Sequence, residues 1–390
     1  MLACPTHIDV PRFIKKIATD NLAGSAHTIL DANILGASCA RACPVEVLCE
    51  GACVLHRYNK QPIQIGRLQR FAMDAFYASG SSLPFELGPE TGRSVALIGA
   101  GPASLACAAE LRRRGIRATL YDARPLPGGL NTYGIAEYKL PLVESLREID
   151  MLAQLGVDFH FSTSIDAQQL KALEDEHDAI FLGIGLGAIH RLGLANEDLP
   201  GVTDALDLIA GYKSGAITSI PQRVIVIGAG NTAIDAAIAA VRLGAREVCI
   251  VYRRGPEQIS AFTFEYEHAR REGVRFFWNL QPTAIHGTSE VEAIELAPYE
   301  STGQSMTLEV DLIVLAIGQA THTDFLSNMQ RERGRIVIDR TSGQTSNPKF
   351  FAGGDCTNGG REVVDAVADG KRAGTGIATW LSAQQEAHHG

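Results

Sequence analysis

The sequence predicts an α/β protein made of two doubly wound parallel units, preceded by a small all-α module. Three observations carry that prediction. Two apolar strands each end in a glycine-rich turn that opens a helix of small residues. Strand-like and helix-like runs alternate from Arg93 onward. Residues 1 to about 80 show helical spacing and most of the cysteines but no strand-like run.

In chain order, the first module places Phe13, Ile14 and Ile17, then Ile29, Leu30 and Ile34, at helical intervals. Ser, Gly and Pro mark the stretch from Ala78 to Gly92 as a linker. Ser94–Ile98 is then a buried strand that delivers Gly99-Ala100-Gly101-Pro102-Ala103-Ser104, and a helix follows from Ala103 to Arg114. The next strand, Arg117–Tyr121, stops at Asp122. A second copy of this design begins at Arg223–Ile227 with Gly228-Ala229-Gly230-Asn231-Thr232-Ala233, and its following strand, Glu247–Tyr252, runs into Arg253-Arg254. Apolar strands ending in glycine, Ala179–Gly185 and Leu312–Gly318, bracket this second copy. Phe350-Phe351-Ala352-Gly353-Gly354-Asp355 returns after it.

The chemistry of the two turns follows from their backbones. The first glycine of each G-x-G permits the tight bend, and the second lets backbone N–H groups approach a pyrophosphate at the positive end of a helix. A lone copy is a weak signal; two in full strand, turn and helix context are a strong one, although Ser104 and Ala233 stand at the third glycine position. The residues after each second strand separate the sites. Asp122 can bond a ribose diol, whereas Arg253 and Arg254 suit a 2′-phosphate through bidentate forks. A solvated basic loop is the plainer alternative for the arginines. The favoured pairing is FAD at Gly99, Gly101, Pro102, Ala103 and Asp122, and NADPH (or NADH) at Gly228, Gly230, Asn231, Thr232, Arg253, Arg254 and Gly318.

Composition bounds the function. With 390 residues, 46% hydrophobic and 20% charged, the chain can hold two or three domains with real cores. A formal net charge of -9 argues against nucleic acid as a partner, and no apolar run nears the roughly 20 residues of a membrane span. No leader is recognised, so the expected compartment is cytoplasmic. Five of eight cysteines, Cys4, Cys39, Cys43, Cys49 and Cys53, precede residue 54, which in a reducing compartment suggests metal rather than disulfides. Structural zinc, with Cys39, Cys43, Cys49, Cys53 or His56, and empty thiols stay open beside iron–sulfur. Cys107 and Cys249 are read as small core residues. No Cys-x-x-Cys pair exists, which disfavours disulfide reduction.

Taken together, the bracketed order of elements resembles the two-dinucleotide-binding-domain flavoproteins, in which an NAD(P) domain is inserted into an FAD domain. The boundaries implied are 1–90 for the helical iron–sulfur module and linker, 91–190 and 319–390 for the FAD domain, and 191–318 for the NAD(P)H domain. Cys39-x3-Cys43-Pro44-x4-Cys49-x3-Cys53, Cys4-Pro5 and Pro62–Phe71 narrow the resemblance to the flavoprotein subunit of bacterial dihydropyrimidine dehydrogenase and the small subunit of glutamate synthase. It covers essentially the whole chain.

That resemblance implies further roles. Gly354 and Asp355, with a helix beginning near Glu362 and including Val364, would complete the FAD site. Gly129, Leu130 and Lys139 would lie in a flavin-contacting loop, though the family often has Arg where Lys139 stands. Cys4, Cys43, Cys49 and Gln69 would hold a 4Fe-4S cluster. Cys53 would be an orphan ligand of a second cluster whose other ligands lie upstream of Cys4, and a truncated start is the preferred explanation; at most one cluster is therefore expected. A further basic residue found in the family near Ser260 has no counterpart here. No residue is assigned an acid–base role: the coenzyme's hydride would go to the flavin, and single electrons would go on through iron–sulfur to a partner. The favoured partner is an FMN- and iron–sulfur-bearing pyrimidine-reducing subunit, the second choice an amidotransferase subunit making glutamate. A non-catalytic scaffold that keeps the fold is the alternative from another class.

Overall fold

The computed structural model describes residues 2–187, 189–300, 302–326 and 329–389. Contacts divide the chain into two compact units, Met1–Thr132 with Val143–Gly187 and Thr321–Gly390, and Tyr133–Leu142 with Ala188–Ala320.

The first unit opens with helices α1 (Val10–Ala18), α2 (Leu22–Ala32), α3 (Gly36–Ala42) and α4 (Ile65–Ala78). Capping explains where two of them start: Asp9 accepts the Arg12 N–H, and Asn21 accepts the Gly24 N–H. Their apolar stripes bury Phe13, Ile29, Leu30 and Met73. These side chains share one core with Leu97, Leu105, Phe181 and Phe351, so the helical module is continuous with the sheet that follows. That sheet is introduced by β1 (Ser94–Ile98), α5 (Pro102–Arg112), β2 (Arg117–Tyr121), α6 (Leu130–Tyr133), α7 (Leu142–Gln154), β3 (Asp158–His160), α8 (Ala167–Glu176) and β4 (Ala179–Leu182).

The second unit contains β5 (Val202–Asp204), α9 (Ala205–Ser214), β6 (Arg223–Ile227), α10 (Asn231–Arg242), β7 (Glu247–Tyr252), α11 (Thr263–Arg271) and β8 (Arg275–Trp278). An antiparallel sheet of β9 (Leu280–Gly287), β10 (Val291–Pro298) and β11 (Met306–Glu309) follows, then β12 (Leu312–Leu315). The chain returns to the first unit with β13 (Arg331–Glu332), β14 (Arg335–Ile336), β15 (Phe350–Ala352), α12 (Asp355–Asn358) and the long α13 (Val363–His389).

The two parallel sheets have matching orders, β15-β4-β1-β2-β3 and β5-β12-β6-β7-β8. In each, the strand that ends in the glycine turn lies between a neighbour from later in the chain and the strand that follows it. Helices must then leave on opposite sides, which opens a crevice at the carboxyl ends of β1 and β6. Both strands are apolar on every inward position, as burial on two faces demands. Among the described residues no helix is long and apolar enough to cross a membrane.

Candidate functional site

The first crevice is lined by backbone. Gly99 has φ +91°, and a Cβ there would sit 2.5 Å from the Gly183 carbonyl oxygen, so only glycine fits. Gly101 is different: it is the N-cap of α5 with extended backbone, and a Cβ on it would meet nothing nearer than 4.0 Å. Its freedom from protein neighbours leaves room for a group that must approach the backbone. No side chain caps α5, and Pro102 occupies its first turn, so the N–H groups there point outward without a protein acceptor. Gly129 backs onto the same turn, since a Cβ on it would lie 2.8 Å from the Gly101 Cα. Asp122 closes the turn: its Oδ2 accepts the Ala100 N–H at 2.6 Å and its Oδ1 the Arg124 N–H at 2.8 Å. Each oxygen keeps a second lone pair for a hydroxyl.

The returning motif meets this turn. A Cβ on Gly354 (φ +77°) would lie 3.0 Å from the Ala103 Cβ, and the Gly354 N–H donates to Asp369 Oδ2 at 3.1 Å. Asp355 accepts the Arg361 N–H at 3.2 Å; burial, with Asp369 and Asp365 nearby, raises its carboxyl above the usual range. The Val364 side chain is buried, which leaves its first-turn N–H as the group it can offer. The Leu130 side chain stands at the edge, 36% exposed. Gly99, Gly101, Ala103, Gly129 and Gly354 are thus packed closely within one unit, a cradle whose open side lies in front of Gly101, with Asp122 on its rim. The geometry and donor set fit an extended dinucleotide.

In the second unit a cleft of about 650 Å³ lies at the β6 turn, lined among others by Gly228, Gly230, Thr232, Arg253 and Gly318. Gly228 has φ +122°, and a Cβ would come within 2.2 Å of the Ala316 carbonyl oxygen. Gly230 is the uncapped start of α10. Asn231 takes the Phe262 N–H on its Oδ1 at 3.0 Å and so ties the turn to the loop before α11. Arg253 faces the cleft beneath Tyr299, 5.5 Å from the ring centroid, while Arg254 is exposed beside it and is not among the lining residues. Arg191 and Ser260 also line the cleft. Arg191 carries no local motif and is brought in by the chain pairing of Ile189 with Gln319, while Ser260 marks the place where the family's further basic residue has no counterpart.

Lys139, assigned to the flavin loop by resemblance, belongs to the second unit. Its Nζ lies 2.6 Å from Asp235 on α10 and 2.6 Å from Glu265 on α11. Burial alone would lower its pKa, but the two carboxylates outweigh that and hold it above its ordinary value. The Tyr138 hydroxyl donates to Asp235 at 2.9 Å, and Lys213 donates to the Ile135 and Leu140 carbonyls at 2.8 Å. These bonds tie Tyr133–Leu142, inside the 91–190 stretch of the chain, to the rest of the second unit.

The cysteine module lies in the first unit. Cys39 is buried in α3, Cys43 is the C-cap of that helix, and Cys53 precedes a short turn at Val54–Tyr58. Hydrogen bonding to Cys39, burial and the charges of Cys39 and Cys4 push the Cys43 thiol well above its usual range; burial and Cys4 raise Cys49 to about 11. Cys4 Sγ itself lies 3.3 Å from Thr6 Oγ1. Gln69 is 7% exposed, and its Nε2 donates to the Gly36 carbonyl at 2.7 Å, which turns Oε1 into its remaining ligand atom. Among the described residues no three His, Cys, Asp or Glu side chains gather as the ligands of a single ion. A four-iron cube holds its thiolates further apart than one ion does. Bound iron would reverse the thiol shifts by stabilising the thiolates. All eight cysteines are free.

The chain belongs to the pyridine nucleotide-disulphide oxidoreductase family, which matches residues 93–387. Residues 1–81 match a second family, described as dihydropyrimidine dehydrogenase domain II, 4Fe-4S cluster. The protein is accordingly an oxidoreductase that uses FAD and a nicotinamide coenzyme and carries a 4Fe-4S module. It is 35% identical to the glutamate synthase [NADPH] small chain of Escherichia coli K12, covering 97% of this chain and 87% of that one. It is 34% identical to the NAD-dependent dihydropyrimidine dehydrogenase subunit PreT of the same organism, covering 97% and 90%. Both relatives are named as parts of larger enzymes. Solved structures with the same fold include Mycobacterium tuberculosis FprA in complex with NADPH (TM-score 0.61, 19% identity, 76% of this chain and 86% of that) and T. acidophilum thioredoxin reductase (TM-score 0.62, 21% identity, 75% and 99%).

Proposed function

We propose that this chain is the electron-input subunit of a larger enzyme, oxidising NADPH and passing electrons through FAD and a 4Fe-4S cluster to a partner that performs the substrate chemistry. The observation that carries this is the joining of the Gly99–Gly101 cradle and the Cys4, Cys43, Cys49 and Gln69 set in one compact unit with a shared core. When bound, the flavin supplies the conversion between two-electron and one-electron transfer. The chain's own residues do the rest. Gly101 and the uncapped first turn of α5 receive the pyrophosphate; Asp122 and Asp355 receive hydroxyls; Gly228, Gly230, Asn231, Thr232 and Gly318 seat the coenzyme; Arg253, with Arg254 beside it, takes a 2′-phosphate.

The favoured partner is a pyrimidine-reducing subunit. The second reading, an amidotransferase subunit making glutamate, is favoured by the 35% identity to a glutamate synthase small chain whose name specifies NADPH. Purified alone, the protein is expected to be yellow, to release about one FAD per chain, and to reduce an artificial dye with NADPH while leaving uracil and thymine unchanged. Turnover of a pyrimidine by this polypeptide alone would place the substrate chemistry here. A colourless protein unable to bind FAD would point to a scaffold. Reconstitution with each type of partner, assayed for pyrimidine reduction or glutamate formation, separates the two readings.

A further inference from the structure

Helix α3 ends on Cys43, and its opposite end is gripped by a residue far along the chain. Glu148, on α7 and 0% exposed, accepts the Ala37 N–H at 2.7 Å, the Ser38 N–H at 2.9 Å and the Ser38 hydroxyl. Gln69 holds the same turn from α4 through the Gly36 carbonyl. One turn further, Arg41 reaches Asp74 on α4 at 2.5 Å and Glu144 on α7 at 3.2 Å. The short helix is therefore bolted between the module's own α4 and a helix of the flavin-binding part.

A neutral side chain could tie down two N–H groups. An ionisable one, wholly out of water, is costly, and burial pushes Glu148 up to about 7 despite its bonds to Ser38 and Ala37 and the nearby Arg41. Ser38 and Arg41 from α3 act on it directly, and Tyr77 from α4 feels its charge together with those of Glu144 and Arg147 on α7; Arg41 is in turn shared with Asp74 on α4 and Glu144. The Tyr77 hydroxyl is buried with no hydrogen-bond partner, and its ionisation is suppressed by burial and by Glu148 and Glu144.

The geometry points to Glu148 as a positioning residue for the iron–sulfur cluster: acting through α3, it seats Cys43 and sets a buried negative charge beside the cluster module. This rests on the reading of Cys43 as a ligand. Electron transfer between flavin and cluster falls exponentially with distance, so a strut from the flavin-binding part to the ligand-bearing helix fixes the quantity that matters. A buried carboxylate also disfavours adding an electron nearby, and it is relieved when the carboxylate takes up a proton from solvent.

The test uses the full-length holoprotein. Glu148→Gln, Ser38→Ala and Cys43→Ser are compared for FAD per chain, iron per chain, and the cluster's midpoint potential at pH 6 and pH 8. Glu148→Gln is expected to keep its FAD, to raise the potential at pH 8, and to abolish the difference between the two pH values that the parent shows. Ser38→Ala, which keeps the charge, should retain that pH difference. Loss of iron in Glu148→Gln with FAD retained would also support the seat. An unchanged potential and pH response with iron retained overturns the proposal, as does equal loss of iron and FAD. Full iron in Cys43→Ser would instead refute the ligand reading beneath it.

Discussion

Replacing Gly101 by valine separates binding of FAD from folding. The residue has φ -78° and ψ 177°, a region any L-residue adopts, and its added Cβ would have 4.0 Å of clearance from protein atoms. Losing a favoured N-cap costs the fold about 1 kcal/mol. The same side chain projects into the space a pyrophosphate must enter. Two backbone N–H bonds to a charged oxygen, at about 1.5–3 kcal/mol each, would be lost, which predicts FAD binding weakened roughly a hundredfold to ten-thousandfold. Flavin released on denaturation, and the melting temperature of flavin-free protein, are the two measurements. Gly99→Val is the contrast: with φ +91° and the Gly183 carbonyl oxygen 2.5 Å from the new Cβ, it should fail to fold stably. A Gly101→Val protein that retains about one FAD per chain would show that the cradle is wrongly placed.

Replacing Arg253 and Arg254 by alanine should weaken NADPH by about 1.5–3 kcal/mol more than NADH, read from kcat/KM for dye reduction with each coenzyme; an equal loss for both would leave the arginines no role in choosing the coenzyme. Lys139→Met strands Asp235 and Glu265 in a buried site and should cost about 3–5 kcal/mol in denaturant unfolding, whereas a loss below about 1 kcal/mol would show the three charges to be well solvated. Glu148 titrates higher in the fold than unfolded, from 4.5 to about 7, so its protonated form favours the fold. That contribution, about 3 kcal/mol, is fully present below pH 4.5 and lost as pH rises through about 7. The melting temperature of the parent should therefore fall relative to Glu148→Gln between pH 5 and pH 8, and parallel profiles would contradict the shift.

The sequence by itself determined the parts whose physics is local. A parallel strand, a G-x-G turn and the start of a helix occupy about a dozen consecutive residues, so periodicity and glycine placement expose both turns, and the polarity of the next strand's end separates Asp122 from Arg253. Only the tertiary structure decided what depends on distant partners. Gly99 must be glycine because Gly183, more than eighty positions on, lies against it. The partners of the Lys139 ammonium, Asp235 and Glu265, lie far along the chain and no local pattern points to them. Glu148 sits in an ordinary amphipathic helix, and nothing near it in the chain announces that its carboxylate is sealed against Ala37 and Ser38. Arg191 reaches the coenzyme cleft only through the pairing of Ile189 with Gln319. Burial and charge pairing are properties of the packed chain, set by which surfaces meet once the core forms, and no short window of residues contains them.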